Sequence, residues 1–253
     1  MPGQGLFWGM LGLVVGSFLN VVIYRLPRGQ SIVHPGSRCP ACERSLRPME
    51  LIPVASYILQ RGRCRHCGAK ISKRYPGVEI LTGVLFYLTT RQEGGGEPLR
   101  LLLDLIFVSG LVALSFIDIA ELRLPDAIVL PLLILGAAGA FLADGGPEGW
   151  EAIFSAAGVG LIFALIAWLY PAGMGWGDVK LAAALGVFLG FPKIVLAIFS
   201  GSLIGALVGG ALILSQRIAP RQPLPFGPYL ALGAVFALLW GNPLITFYWN
   251  LGF

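Results

Sequence analysis

Long apolar runs alternate with short polar breaks along most of this chain. Eight runs stand out, at roughly 5–24, 76–91, 99–119, 126–143, 150–170, 179–190, 193–214 and 228–246. A helix that crosses a bilayer needs about 20 apolar residues, and Pro, Gly and charged residues punctuate the gaps. The pattern predicts an all-α integral membrane protein with about eight transmembrane helices. The runs at 76–91 and 179–190 are short, so their ends are the least sharply defined. No internal repeat is evident. The one long polar stretch, residues 25–75, separates the first run from the second.

Composition agrees with the pattern. Mean hydropathy is +0.79, and only 12% of residues are charged, against about 25% in a soluble domain. No basic segment precedes the first run and no small-residue cleavage site follows it, so it reads as a retained helix. The formal net charge is +5, and eleven of the eighteen Lys and Arg fall between Arg25 and Arg74. Beside a membrane helix such a cluster marks the cytoplasmic side rather than a nucleic-acid site. With the N-terminus outside, the segments 25–75, 120–125, 171–178 and 215–227 lie inside. Fifteen basic residues are then inside, Arg123, Lys180, Arg217 and Arg221 among them, while Arg91, Arg100 and Lys193 are outside. The outer loops at 93–97 and 144–148 are short and acidic. The expected partners are therefore the lipid bilayer and no nucleic acid. Three parts follow: a first helix over 1–24, a cytoplasmic segment over 25–75, and a polytopic membrane domain over 76–253.

All four cysteines fall in the polar segment, as Cys39-Pro40-Ala41-Cys42 and Cys64-Arg65-His66-Cys67. Two Cys-x-x-Cys knuckles at this separation approach the spacing of a zinc ribbon. Each knuckle offers two thiolates from one turn, and two knuckles complete a tetrahedron around Zn²⁺. Disulfides are the alternative, but they are rare in a reducing cytoplasm. A closed four-thiolate site has no open position, so such a zinc is structural, a staple for a segment too short to build a large core. Gly68 suits the turn after Cys67. His34 and His66 read as surface residues rather than ligands.

The acids differ in how easily they are explained. Asp104 has Arg100 one turn earlier, a local i,i+4 pair. Asp126 follows Leu124-Pro125 at a helix start, where the dipole favours an acid. Glu79 is placed to pair with Lys73 or Arg74. Asp144, Glu148 and Glu151 read as solvated. Gly16, Asn20 and Tyr24 share one face of the first helix and point to helix packing. Gly201, Gly205 and Gly209 form a ridge of the same kind, and Phe247-Tyr248-Trp249 reads as an interfacial aromatic belt.

Two acids lack such an account. Asp118 ends the third run and Asp178 opens the sixth, at similar depth on the same side. Gly173, Gly175 and Gly177 leave room beside Asp178 for another backbone. Arg123 is within reach of Asp118, whereas Lys180 lies roughly 200° around a helix from Asp178. Acids at a membrane helix end are costly without a role. A close pair shares a proton and activates water, or it couples proton or ion movement in a transporter. Spacing and depth leave both readings open.

Taken together the motifs resemble the bacterial type IV prepilin peptidases, also called prepilin leader peptidase/N-methyltransferases, which are GxGD-type intramembrane aspartic proteases. The carriers are Gly16-Ser17-Phe18-Leu19-Asn20-Val21-Val22, both knuckles with Arg61-Gly62-Arg63 before the second, Ile71–Glu79, Ile117-Asp118 with Leu124-Pro125-Asp126, Gly175–Lys180, and Pro225-Phe226-Gly227-Pro228. Leu46–Pro53 departs from the family, whose members carry aromatic residues and an Asn or Asp there. The resemblance implies an enzyme of the bacterial cytoplasmic (inner) membrane. It implies catalytic aspartates Asp118 and Asp178, and cleavage of the basic leader of type IV prepilins and pseudopilins after a Gly. It further implies N-methylation of the new terminus with S-adenosylmethionine as methyl donor, and zinc on Cys39, Cys42, Cys64 and Cys67. It names no residues for the methyl-donor site.

Overall fold

The computed structural model describes residues 2–93, 97–171, 173–217, 219 and 224–250. The expected outer loop at Gly94-Gly95-Gly96 and the inner cation Arg221 lie outside the described residues. Each of the eight apolar runs is a helix. These are α1 (Pro2–Arg25), α3 (Arg74–Glu93), α4 (Pro98–Glu121), α5 (Asp126–Leu142), α6 (Gly149–Leu169), α7 (Trp176–Leu189), α8 (Lys193–Leu214) and α9 (Gly227–Asn250). A short helix, α2 (Ala55–Leu59), lies in the polar segment. Among the described residues no strand forms; two isolated bridges, Arg38 with Ser45 and Arg63 with Lys70, pin the knuckles.

Five helices among the described residues are long and apolar enough to cross a membrane: α1, α4, α6, α8 and α9. The other three fall short for different reasons. α3 carries Arg74, Glu79, Arg91 and Glu93. α5 has 17 residues. α7 has 14 residues, which at 1.5 Å per residue is about 21 Å, against about 30 Å of hydrocarbon.

Packing divides the chain into two compact units, Met1–Gly94 and Gly95–Phe253. In the first, α1 lies against α3. Small residues bring the two backbones together, as the faces of α1 predicted. A Cβ on Gly16 would stand 2.7 Å from Glu79 Cα, and one on Gly12 would stand 2.8 Å from Gly83 Cα. Asn20 Nδ2 donates across the seam to Tyr75 O at 3.1 Å. Tyr24, one turn further on, is exposed and stacks with the Arg28 guanidinium instead.

Glu79 differs from its expected pairing with Lys73 or Arg74. Its buried carboxylate turns to the polar segment, where Oε2 accepts the Val54 N–H at 2.7 Å, and the Ser17 hydroxyl bonds to it as well. Val54 is held at φ 60°, ψ −51°, a region a β-branched residue rarely adopts. The Ala55 N–H bonds to Pro53 O across it, which is a strained γ-turn. The carboxylate thus fixes where the polar segment leaves the helix pair.

In the second unit α7 is the centre. Every residue from Leu181 to Leu189 except Ala183 is buried, as expected of a helix apolar on all sides. It packs against α5, α6, α8 and α9. Phe188 stacks on Phe107 of α4 with centroids 4.3 Å apart. α6 and α8 present apolar side chains outward, among them Phe154, Leu161 and Trp168, then Phe199, Leu207 and Leu214. The predicted glycine ridge of α8 meets α9, since a Cβ on Gly201 would stand 2.6 Å from Tyr229 O.

The Arg100–Asp104 pair forms as predicted, with Arg100 Nη2 2.8 Å from Asp104 Oδ1, and it is buried. Arg100 also donates to Phe188 O at 3.1 Å, so a cation sits at the C-terminus of α7, where the dipole favours it. Glu151 is not simply solvated: its Oε1 accepts the Phe191 N–H at 2.9 Å.

Replacement Glu79→Ala should free the Val54 N–H. A hydrogen bond to a charged group contributes about 2 kcal/mol, so amide exchange around Val54 should speed up about thirtyfold. Mass-spectrometric hydrogen exchange on purified protein measures this, and unchanged exchange would show that Glu79 does not hold the segment.

Candidate active site and candidate metal centre

The second unit contains a cavity of about 430 Å³ lined by Asp118, Arg123, Leu124, Asp126, Gly175, Gly177, Asp178 and Lys180, with Leu122 and Pro125. It brings together both acids singled out from the sequence, and both sides of it are helix ends. α4 stops where Leu122 adopts the left-handed conformation, φ 51°, one turn after Asp118. Leu122 N–H closes the helix on Asp118 O at 2.9 Å. Asp118 is 5% exposed. Arg123 was within reach along the chain, but the contact made is with the backbone: Asp118 Oδ2 accepts the Gly227 N–H at 3.0 Å.

Asp178 lies in the first turn of α7 and is half-buried. Its Oδ2 accepts the Gly175 N–H at 3.3 Å, so the side chain reaches back over the helix start. The N-terminal dipole favours a carboxylate there. Gly175 leaves open space on the cavity side, and its hypothetical Cβ meets nothing nearer than Asp178 Oδ2 at 3.6 Å. Asp118 and Asp178 are near enough for their charges to act on each other.

Two features of the cavity were not legible in the sequence. The Gly227 N–H comes from a backbone 109 residues along the chain from Asp118. A Cβ on Gly227 would stand 2.8 Å from Asp118 Oδ2, so a side chain here would push the carboxylate away from the amide. The second feature is Lys180. Asp126 begins α5, as its helix-start reading required, but it also receives Lys180 Nζ at 2.8 Å on each carboxylate oxygen.

The first unit holds the cysteines. Cys39, Cys42, Cys64 and Cys67 are free thiols, and their sulfurs all lie within 4.8 Å of one another. Each knuckle closes the same way: Cys39 N–H bonds to Arg44 O and Glu43 N–H to Cys39 O, just as Cys64 N–H bonds to Ala69 O and Gly68 N–H to Cys64 O. Gly68 is left-handed at φ 68°, the turn expected after Cys67, and Glu43 takes the same conformation in the first knuckle. Cys39 Sγ and Cys67 Sγ are 3.8 Å apart. A tetrahedral site with metal–sulfur bonds of about 2.3 Å has edges of about 3.8 Å, so the donor set fits such an ion. Backbone N–H groups of Cys67 and His66 lower the Cys64 thiol to about 7, while burial and the neighbouring sulfurs push the Cys67 thiol up to about 11. His66 is exposed and pairs with Arg44 through Nδ1 at 2.8 Å, outside the cluster.

These observations define a helical protein of several membrane spans, with two acids in one cavity and a four-thiol cluster of the kind that holds a metal. Comparison with known sequences narrows the class. The family described as Bacterial Peptidase A24 N-terminal domain matches residues 10–92, and the Type IV leader peptidase family matches residues 105–210. Proteins called prepilin leader peptidase/N-methyltransferase are similar along nearly their whole length. That of Bacillus subtilis (strain 168) is 39% identical over 240 residues, covering 94% of this chain and 95% of the relative. That of Aeromonas salmonicida (strain A449) is 37% identical over 271 residues, covering 94% and 91%. That of Neisseria gonorrhoeae is 39% identical over 254 residues, covering 88% and 86%. No solved structure matches the chain. The chain belongs to the type IV leader peptidase family and is a membrane-embedded enzyme.

The thiol geometry carries a direct test. Protein purified without chelator should hold about one thiophilic metal ion per chain. Cys64→Ser should bring that content close to zero by elemental analysis, and unchanged metal content would remove the cluster as its site.

Proposed function

We propose that this enzyme removes the basic leader of type IV prepilins and pseudopilins, with Asp118 and Asp178 as the catalytic pair, and then N-methylates the new terminus. The observation that carries the reading is the single cavity into which α4 delivers Asp118 and α7 delivers Asp178. Family membership and the relatives' names, which pair peptidase with N-methyltransferase, supply the reaction class. Two carboxylates that line one cavity can share one proton. Asp178, on the helix dipole and open to the cavity, takes a proton from the attacking water. Asp118, enclosed, gives a proton to the carbonyl oxygen of the scissile bond. Both roles serve one tetrahedral intermediate, so neither acid is dispensable. The peptide bond must leave its helix to be reached, and the open side of Gly175 leaves space for an extended strand next to Asp178.

In this reading residues 25–75 form a cytoplasmic domain stapled by Zn²⁺ on Cys39, Cys42, Cys64 and Cys67. Four thiolates would leave a bound zinc no open position, so its role would be to hold the fold of the segment. S-adenosylmethionine is the methyl donor, as the N-methyltransferase names of the relatives support. The enzyme sits in the bacterial inner membrane with its N-terminus outside and the segments 25–75 and 171–178 in the cytoplasm. The basic bias, fifteen of eighteen Lys and Arg on one side, supports that orientation.

Single replacements Asp118→Asn and Asp178→Asn should each abolish leader loss from a purified prepilin, followed by mass, while unfolding temperature and metal content stay near those of the parent. Gly227→Ala should reduce cleavage at least tenfold, because about 1 Å of displacement at a catalytic group costs on the order of a hundredfold. Full activity in both Asn variants would discard the aspartic mechanism. Orientation is checked with single-cysteine probes in intact cells: an impermeant thiol reagent should label Glu148→Cys and spare Gly36→Cys. The reverse pattern would invert the topology.

A further inference from the structure

One pair of charges in the cavity has no part in the proton transfers just described. Lys180 Nζ donates to both oxygens of Asp126 at 2.8 Å. The partners belong to different helices, Asp126 at the start of α5 and Lys180 in the second turn of α7. Each is tied by a short piece of backbone to one of the aspartates. From Asp118 the chain runs through the left-handed Leu122 and through Arg123-Leu124-Pro125 to Asp126. Asp178 is two residues from Lys180. The pair therefore closes a ring: Asp118, the α4–α5 connector, Asp126, Lys180, Asp178.

The same two segments touch once more. Leu124 Cβ lies 3.1 Å from where a Cβ on Gly177 would stand, so the connector rests directly on the start of α7. α5 packs on both α4 and α7. At the far end α4 and α7 are held by Phe107 on Phe188 and by Arg100 on Phe188 O. At the cavity end the corresponding polar link runs through α5, and Asp126–Lys180 is that link.

Both side chains are partly exposed, 41% for Lys180 and 53% for Asp126. An exposed ion pair contributes little to global stability. Its effect is local, on the relative placement of the two segments it joins, and small misplacement of a catalytic group is costly to rate.

We propose that the Asp126–Lys180 ion pair is a clasp that sets the separation of the Asp118 and Asp178 carboxylates, which makes Asp126 and Lys180 positioning residues for peptide cleavage. This rests on the reading of Asp118 and Asp178 as the catalytic pair. A clasp acts as one unit, so breaking either half does all the damage that breaking both can do.

The test is steady-state cleavage of a purified prepilin by full-length enzyme in detergent. Asp126→Asn and Lys180→Gln should each lower kcat about tenfold or more, with KM changed less than about threefold. The double variant should be no slower than the slower single. Asp126→Glu and Lys180→Arg keep the pair and should recover most of the rate, and all variants should unfold within a few degrees of the parent. Three results would overturn the clasp: normal kcat in the single variants, multiplicative losses in the double, or a rise in KM at unchanged kcat. The last would make the pair a substrate contact. If a variant does not fold, the Glu and Arg variants still decide, since a clasp predicts a graded loss of kcat without loss of substrate affinity. Asp118→Asn in the same assay separates the two levels. If it cleaves normally, the catalytic reading itself fails; if it is inactive while Asp126→Asn is normal, only the clasp does.

Discussion

A fourteen-residue helix, buried from Leu181 to Leu189 apart from Ala183, sets the terms for the second unit. Every helix leaves about four N–H groups and four C=O groups without intrahelical partners, and within a bilayer such groups must be satisfied by protein. α7 is too short to carry its ends into water on both sides. Its C-terminal carbonyl at Phe188 is met by the Arg100 guanidinium, itself neutralised by Asp104. Its N-terminus is met by the Asp178 carboxylate folding back to Gly175. The dipole asks for negative charge at one end and positive charge at the other. A carboxylate is held there because the helix start needs it, and the same carboxylate lines the cavity.

The second acid is held differently. Asp118 ends a helix whose window is mostly enclosed by protein. Its fixed partner is one backbone amide, from Gly227. A backbone donor cannot swing away as a side chain would, so it holds the Asp118 carboxyl in one orientation. The absence of a Cβ is what lets the amide come that close. One acid is thus placed by the helix dipole and the other by a glycine, while a charge pair on the rim joins the segments that carry them.

The first unit has a different problem. A segment of about fifty residues buries little on its own, and here order comes from two cross-links. The two knuckles converge their sulfurs to within 4.8 Å, and Glu79 ties the strained turn at Val54 to α3. Neither link relies on a large apolar core.

What was legible in the sequence is whatever depends on local period and local spacing. The eight helices follow from apolar runs, because in a bilayer only helices satisfy their own backbone. The four cysteines followed from knuckle spacing, since two thiolates on one turn are neighbours whatever surrounds them. The Arg100–Asp104 pair followed from i,i+4 geometry, and the ridges at Gly16 and Gly201 from recurrence on one helix face. Asp118 and Asp178 stood out because no local partner explained them. What the tertiary structure alone decided are contacts between elements far apart in the chain. The partner of Glu79 is a backbone amide in the polar segment rather than the adjacent lysine or arginine, because the buried face of α3 turns the carboxylate that way. Asp118 bonds to Gly227 rather than Arg123, and Lys180 turns to Asp126. Each of these depends on which faces of two helices meet, and a period of 3.6 residues fixes the face of one helix but not the neighbour it is pressed against.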